Sequence, residues 1–334
     1  MIGSALLVLP LDTNWRYIDG VVFRRKVANV ARCSRNRVVG MGVASVKIRV
    51  FQKGFNFAQD GPGNRLVYHL QGCNMRCSWC ANPEGMAPRG SLMVKRELLV
   101  DTLCPHGAIR GGQLDRDRCA ACATRECLQA QRNQAIRLSC GEYQVEALVE
   151  EAQRSSPMFF SGGGVTLTGG EPTLQFRALR QLLTRLKAAG IHTAVETNAT
   201  HARLPELLPL IDYPIVDCKH YADAALKAAT GVGLRLIARN FERVLSAGQP
   251  TLIRIPLIGG FNDSARDCDG FIGFLSTFPM ACARVEFLRF HEFGRSKWGT
   301  CGLEYRCAGQ AVTAATVTHF SAAFAAHGLH TVHT

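Results

Sequence analysis

Three cysteines, Cys73, Cys77 and Cys80, lie at offsets of four and three in the stretch GCNMRCSWCANPEG, which carries only two formal charges. Thiolates at such spacing are soft-metal ligands. A structural zinc site takes four ligands and usually gathers them as two pairs, whereas these three form a lone triplet in one loop. The same triplet can ligate three irons of a cubane [4Fe–4S] cluster and leave the fourth iron open to a ligand that is not protein. An open iron is a place for chemistry. Cys218 is the residue that would close it if the cluster were held by protein alone.

A second cysteine group follows. Cys104 precedes Pro105, and Cys119, Cys122 and Cys127 form C-x2-C-x4-C. In two-cluster ferredoxins, each cluster takes three cysteines from one run and its fourth from the Cys-Pro that ends the other. On that rule Cys104 closes a cluster held by Cys119, Cys122 and Cys127. Within residues 85–143 no triplet precedes Cys104, and Gln131 stands where the other cluster's closing ligand would be, so this segment has the pattern of half a ferredoxin with one auxiliary [4Fe–4S] cluster. A four-cysteine zinc site is the alternative, with Cys140 as a substitute for Cys104.

The bulk composition limits the possible classes. The 334 residues are 47% hydrophobic and 19% charged, as in a globular protein with a large core. No apolar run reaches the roughly 18 residues of a membrane span, and SALLVLPL lacks the basic flank of a secretory signal, so a cytoplasmic protein is expected. Fourteen cysteines in a reducing compartment argue for metal ligation before disulfides. The net charge of +13 suggests nucleic acid, but residues 1–44 hold seven Lys or Arg against Asp12 and Asp19, a net +5. No nucleic-acid module is expected in the body, and this basic extension is expected to be disordered or dispensable.

The elements that must position the cysteines alternate. LVYHLQG, GVTLTGG, HTAVETN, PIVDCKH, TLIRIPLIG and ARVEFLRFH have the character of strands. Helical spacing appears in VEALVEEAQR, FRALRQLLTRLKAAG, LPELLPLI, LRLIARNFERVLSAG and SARDCDGFIGFLSTF. Strands alternating with crossover helices predict parallel βα units. The expected fold is α/β: a partial (βα)6 TIM-type barrel from residues 45–84 and 144–334, with the ferredoxin-like subdomain inserted between. Active-site groups then belong at the C-terminal ends of the strands, where Cys73, Glu171, Glu196, Asn198, Asp217, Lys219, Asn262, Asp263 and His291 all fall. Asp217 and Lys219 flank Cys218 and so share one face of their strand. A buried acid and base need each other or a ligand.

The C-x3-C-x2-C loop, with Trp79 before its last cysteine, resembles the signature of the radical S-adenosylmethionine (SAM) superfamily. DGPGNRLVYHLQGCNMRCSWCANPE is similar to the activating enzymes of glycyl-radical enzymes, of which the pyruvate formate-lyase activase is the best-known type. VTLTGGEPTLQ, ETN, VDCKH, IPLIGGFND and HEFGRSKW continue that resemblance in order from residue 46 to about 305.

The resemblance implies that Cys73, Cys77 and Cys80 hold the cluster and that SAM chelates the open iron. It places Gly169, Gly170 and Glu171 at the SAM ammonium, Asp217 and Lys219 at the ribose and carboxylate, and Trp79, Ala81 and His291 nearby. Glu196 stands where the best-known member has an acid that helps hold a monovalent cation, and Ala81 where many relatives have His. It also implies one-electron cleavage of SAM to a 5′-deoxyadenosyl radical, which takes a hydrogen atom from a glycine of a partner enzyme. The substrate is then a protein, the electron donor a flavodoxin or ferredoxin, and the chain a monomer. The alternatives are a radical SAM enzyme acting on a small molecule or peptide, and a non-catalytic iron–sulfur electron carrier. The carrier would need four protein ligands per cluster.

Overall fold

A computed structural model describes residues 15–18, 21–24, 46–57, 59–120, 122, 124–130 and 134–333. It divides into two units, Met1–Ala44 and Ser45–Thr334. In the first unit, Trp15–Ile18 pairs antiparallel with Val21–Arg24. The rest of the extension, and with it most of the segment expected to be disordered or dispensable, lies outside the described residues.

In the second unit the apolar strands form one nine-stranded sheet. Strand β1 (Lys47–Phe57) runs antiparallel to β2 (Asn64–Leu70) and, through Lys47–Val50, to β3 (Gly141–Gln144). From β2 the sheet continues in parallel through β4 (Gly164–Gly169), β5 (Thr193–Thr197), β6 (Tyr213–Asp217), β7 (Thr251–Leu257), β8 (Ala283–Arg289) and β9 (Thr331–Val332). Each of these strands neighbours the next in sequence, and among the described residues β9 does not pair back to the other edge. This is the open partial barrel that alternating strand and helix patterns dictate.

Seven main helices accompany the sheet: α1 (Val145–Ser155), α2 (Phe176–Ala188), α3 (Asp223–Thr230), α4 (Leu234–Ser246), α5 (Ala265–Leu275), α6 (Arg295–Cys301) and α7 (Ala314–Ala326). Helix α2 buries Phe176, Leu179, Leu182, Leu183 and Leu186, one stripe at helical spacing, and each such leucine contributes roughly 1.5–3 kcal/mol. The crossover LPELLPLI differs from its α-helical expectation: Leu204–Leu210 winds as a 3-10 helix with Pro209 inside it. Proline has no N–H to donate, so an α-helical ladder there would be broken. No helix among the described residues is long and apolar enough to cross a membrane.

The insertion is built differently. Leu92–Val94 pairs antiparallel with Ile136–Leu138, and Ile109–Arg110 with Gln113–Leu114. Two short helices, Arg116–Ala120 and Cys127–Ala130, lie between these pairs. Its own core is small: Val94, Leu99, Ile109, Cys127, Ala135 and Ile136, with Cys104 packed against it.

The turn after β4 fixes where the cysteine loop sits. Gly169 has φ of +117°, and a Cβ at Gly170 would collide with the Gly72 carbonyl. The Gly-Gly pair therefore admits the backbone of the cysteine loop itself, with Gly170 N donating to Leu70 O (2.9 Å) and Glu171 N to Gly72 O (2.7 Å). The Glu171 side chain turns away from solvent entirely. Its Oε1 accepts from Thr173 N (3.0 Å), from the Thr173 hydroxyl and from Thr197 Oγ1 (2.8 Å), while Oε2 accepts from Asn198 N (2.7 Å). Glu171 thus locks the β4 turn to the end of β5. Glu171→Ala would strand several buried donors, each worth about 1–3 kcal/mol, so urea titration should show a loss of roughly 3 kcal/mol or more. A variant that unfolds like the parent and loses only ligand affinity would contradict this structural role.

Candidate active site

A cavity of about 670 Å³ opens at the C-terminal ends of the parallel strands, a volume suited to a small-molecule ligand. Cys73, Cys77 and Cys80 all line it, together with Trp79, Ala81, Gly169, Gly170, Glu196, Asp217, Lys219 and His291. The structure therefore brings together the residues singled out around the cysteine triplet except Glu171, Asn262 and Asp263, and the Glu171 carboxylate is wholly engaged in the turn just described. That carboxylate does not face the cavity, so the expected contact to an ammonium group is not where the side chain points. Asn262 and Asp263 are likewise structural. Asn262 Oδ1 accepts from Ile258 N (2.8 Å) and its Nδ2 donates to Pro256 O (2.9 Å) and Lys219 O (3.2 Å), while Asp263 accepts from Gly260 N (2.9 Å).

Of the three cysteines, Cys77 is buried and Cys73 and Cys80 are partly buried. Burial pushes Cys73 up to about 11 and Cys77 up to about 12, and raises Cys80 too, while the Lys219 ammonium pulls all three back toward the thiolate. All thirteen cysteines among the described residues are free. Three soft donors on one wall beside a fixed cation are a chemically suitable set for iron–sulfur ligation. Cys218, the residue that would close the fourth position, packs instead in the apolar core with Val216, Leu226 and Ile253, and it does not line the cavity.

Lys219 Nζ lies 2.9 Å from Asp217 Oδ2, with both side chains about one-sixth exposed. Burial works against the Lys219 charge, but Asp217 and the Cys77 and Cys73 thiols outweigh it and hold the ammonium above its usual range. The pair offers a cation and an acceptor side by side, which suits a ligand carrying a carboxylate and hydroxyl groups. Trp79 packs 5.0 Å from Phe261 and gives the cavity an aromatic wall. His291 stands exposed at the rim, its ring stacked 4.4 Å from that of Phe293.

A buried charge network escaped the sequence reading. Arg254 on β7 donates to Glu196 Oε1 (2.8 Å), Glu286 Oε2 (2.8 Å) and the Gln59 carbonyl, and lies 3.7 Å from Asp60. Thr168 Oγ1 donates to the other Glu196 oxygen at 2.6 Å. Burial opposes ionisation of Glu196, yet the Arg254 guanidinium prevails and holds its carboxyl below the usual range. The signal was present in the sequence as a charge inside the apolar strand TLIRIPL and an acid between the apolar Val285 and Phe287 of ARVEFLR.

The cysteine loop is also held from outside the barrel. Trp298 Nε1 donates to Cys80 O (3.0 Å), and Lys297 Nζ reaches Asn82 Oδ1 and Glu84 Oε1, both at 2.8 Å. Arg76 N donates to Thr230 O (2.9 Å) and Asn198 Nδ2 to Asn74 Oδ1 (3.1 Å).

In the insertion, burial raises the Cys119 thiol, and Cys127, Cys122 and Cys104 raise it further by their proximity. Cys104 Sγ accepts from Ala108 N (3.3 Å) and Cys122 Sγ from Arg125 N (3.4 Å). Cys140 is placed elsewhere, where a Cβ on Gly90 would come within 2.9 Å of its sulfur, and its charged neighbours are Arg49 and Glu142. Among the described residues no three His, Cys, Asp or Glu side chains are spaced to hold a single metal ion; a four-iron cluster spreads its thiolates more widely.

Comparison with known proteins gives this geometry its context. Residues 67–268 match the family model described as the radical SAM superfamily. Over 265 residues the chain is 34% identical to a 4-hydroxyphenylacetate decarboxylase activating enzyme of Clostridioides difficile, covering 74% of this chain and 83% of that protein. It is 30% identical over 294 residues to an indoleacetate decarboxylase activating enzyme of Tractidigestivibacter scatoligenes, covering 81% and 92%. A radical SAM methyltransferase from Sphaerobacter thermophilus shares the fold at a TM-score of 0.52 and 14% identity, covering 83% of this chain and 67% of that one. With its cysteine loop at the mouth of an open parallel barrel, the chain belongs to the radical SAM superfamily, among the activating enzymes of glycyl-radical enzymes.

Proposed function

We infer that the chain binds a [4Fe–4S] cluster and SAM and uses them to install a glycyl radical on a partner enzyme. The observation that carries this reading is the meeting of three free thiols and the Lys219–Asp217 pair in one cavity at the barrel mouth. When bound, the cluster and SAM supply a 5′-deoxyadenosyl radical, which takes a hydrogen atom from a glycine Cα of the partner.

Cys73, Cys77 and Cys80 hold three irons in this reading. Lys219 receives the SAM carboxylate and Asp217 the ribose hydroxyls, exchanging part of their mutual bond for the ligand. The Gly169–Gly170 backbone lies at the amino group. Trp79, Ala81 and His291 border the nucleoside, and Glu196 reaches the site already neutralised by Arg254. The cavity walls orient the ligand and exclude water around it. A flavodoxin or ferredoxin is the proposed electron donor.

Cys104, Cys119, Cys122 and Cys127 are proposed to hold an auxiliary [4Fe–4S] cluster. Their mutual proximity and the amide N–H groups directed at two of the sulfurs support this assignment.

Three measurements check the reading. In anaerobically reconstituted protein with dithionite, replacing Cys73, Cys77 or Cys80 by Ala should reduce 5′-deoxyadenosine formation to background; undiminished production from any one of them contradicts the assignment. Lys219→Met should weaken SAM binding roughly 10- to 100-fold, the worth of one charge-assisted hydrogen bond, as followed by equilibrium dialysis. Cys119→Ala or Cys122→Ala should lower iron from about eight to about four per chain while leaving SAM cleavage detectable, whereas parental iron content, or zinc in its place, would refute the auxiliary cluster.

A further inference from the structure

Helix α6 stands between the cysteine loop and the insertion and is bonded to both. Toward the loop, Trp298 donates to the Cys80 carbonyl and Lys297 reaches Asn82 and Glu84. At the start of the helix, Gly294 leaves no room for a side chain, since a Cβ would lie 2.7 Å from the Ala81 carbonyl oxygen. Toward the insertion, the Arg116 guanidinium forks: Nη1 donates to Leu92 O (3.1 Å) within the insertion, and Nη2 to Thr300 O (2.9 Å) near the end of α6. Gly302, at φ +71°, caps α6 and leaves open the space that the guanidinium occupies. Arg116 lies on the same short helix as Cys119 and within electrostatic reach of both Cys119 and Cys301.

We propose that Arg116 and Trp298 are positioning residues at the two ends of a relay through α6, by which the metal-loaded state of the insertion sets the geometry at Cys80. The proposal rests on reading both cysteine groups as cluster ligands. Helix α6 has seven residues and Arg116–Ala120 has five, and segments this short do not hold a helical conformation without tertiary anchors. Each anchors the other through the Arg116 fork. Loss of metal at Cys119 releases Arg116–Ala120, the fork leaves Thr300, and the loosened α6 no longer holds the Cys80 carbonyl. Arg is the suitable residue at this point because its planar fork spans two carbonyls at fixed separation, which a lysine cannot do.

The test is electron paramagnetic resonance of the reduced, SAM-loaded full-length protein, alongside iron content and 5′-deoxyadenosine rate. Trp298→Phe removes the N–H and keeps a ring in place; Arg116→Lys keeps the charge beside Cys119 and gives up the fork. Both variants should retain parental iron, show the same altered signal from the SAM-bound cluster, and lose roughly tenfold in rate, the worth of one hydrogen bond to a fixed group. The double variant should lose no more than the worse single one, because residues on one path couple. A parental spectrum in Arg116→Lys, or a double-variant loss equal to the product of the single losses, overturns the relay. If Arg116→Lys sheds iron, Gly302→Ala, whose methyl would occupy the place of the Arg116 guanidinium and displace the fork without changing a residue of the insertion, takes its place, and a parental spectrum there overturns the relay equally. Failure of the underlying reading is distinct, for the parent protein itself would then show no SAM-dependent signal.

Discussion

Glu171 ties together three pieces of chain just beyond the strand ends where the sheet pairing stops. It receives the backbone of Asn198, the hydroxyl of Thr197 and both donors of Thr173, while its own amide holds the Gly72 carbonyl. The loop that carries Cys73, Cys77 and Cys80 has little regular structure of its own, so its position is imposed by such bonds from outside. A carboxylate so deeply buried is tolerable because four donors converge on it, three on Oε1 and one on Oε2. Glu171 therefore references the cysteine loop to the end of β5, beside the direct bonds from Asn198 to Asn74 and from Arg76 N to Thr230 O.

The same logic governs the barrel interior. Closed α/β barrels fill their centre with layers of branched apolar side chains. Here Arg254 and Glu286 within their strands, and Glu196, Asp217 and Lys219 toward the strand ends, stand there instead, and these charges satisfy one another at 2.8–2.9 Å. Stripping one partner from a buried set leaves an uncompensated charge and costs several kcal/mol. An open barrel with a polar centre can receive a polar ligand, and the apolar cores lie on the outer side of the strands, under α2 and α4.

Much of this was legible in the sequence. Alternating apolar runs located the strands, and the rule that βα units present their groups at strand ends placed Asp217, Lys219, Glu196 and His291 around one opening. Other features required knowledge of register. Arg254 faces Glu286 because β7 and β8 pair those two residues, and nothing local to either strand announces it. Glu171 stood next to two glycines and suggested a ligand contact, but its partners lie 26 and 27 residues away on another strand end. Helix α7, rich in Ala and Thr, buries only Phe320 and Phe324, too few apolar positions to mark a face. Prolines in the crossover after β5 shifted an α-helical pattern to a 3-10 helix, a change in hydrogen bonding that apolar spacing does not record.

The small core of the insertion bears on the life of the protein in a cell. Half a dozen buried side chains, one of them a cysteine, hold together a segment of nearly sixty residues, far less apolar burial than an independent fold of that length requires. Metal bound at its sulfurs, as proposed above, would supply the stability that this core lacks. Under the proposed assignment of an iron–sulfur cluster there, a shortage of iron would leave this stretch the first that proteases reach, and turnover of the polypeptide would track metal availability.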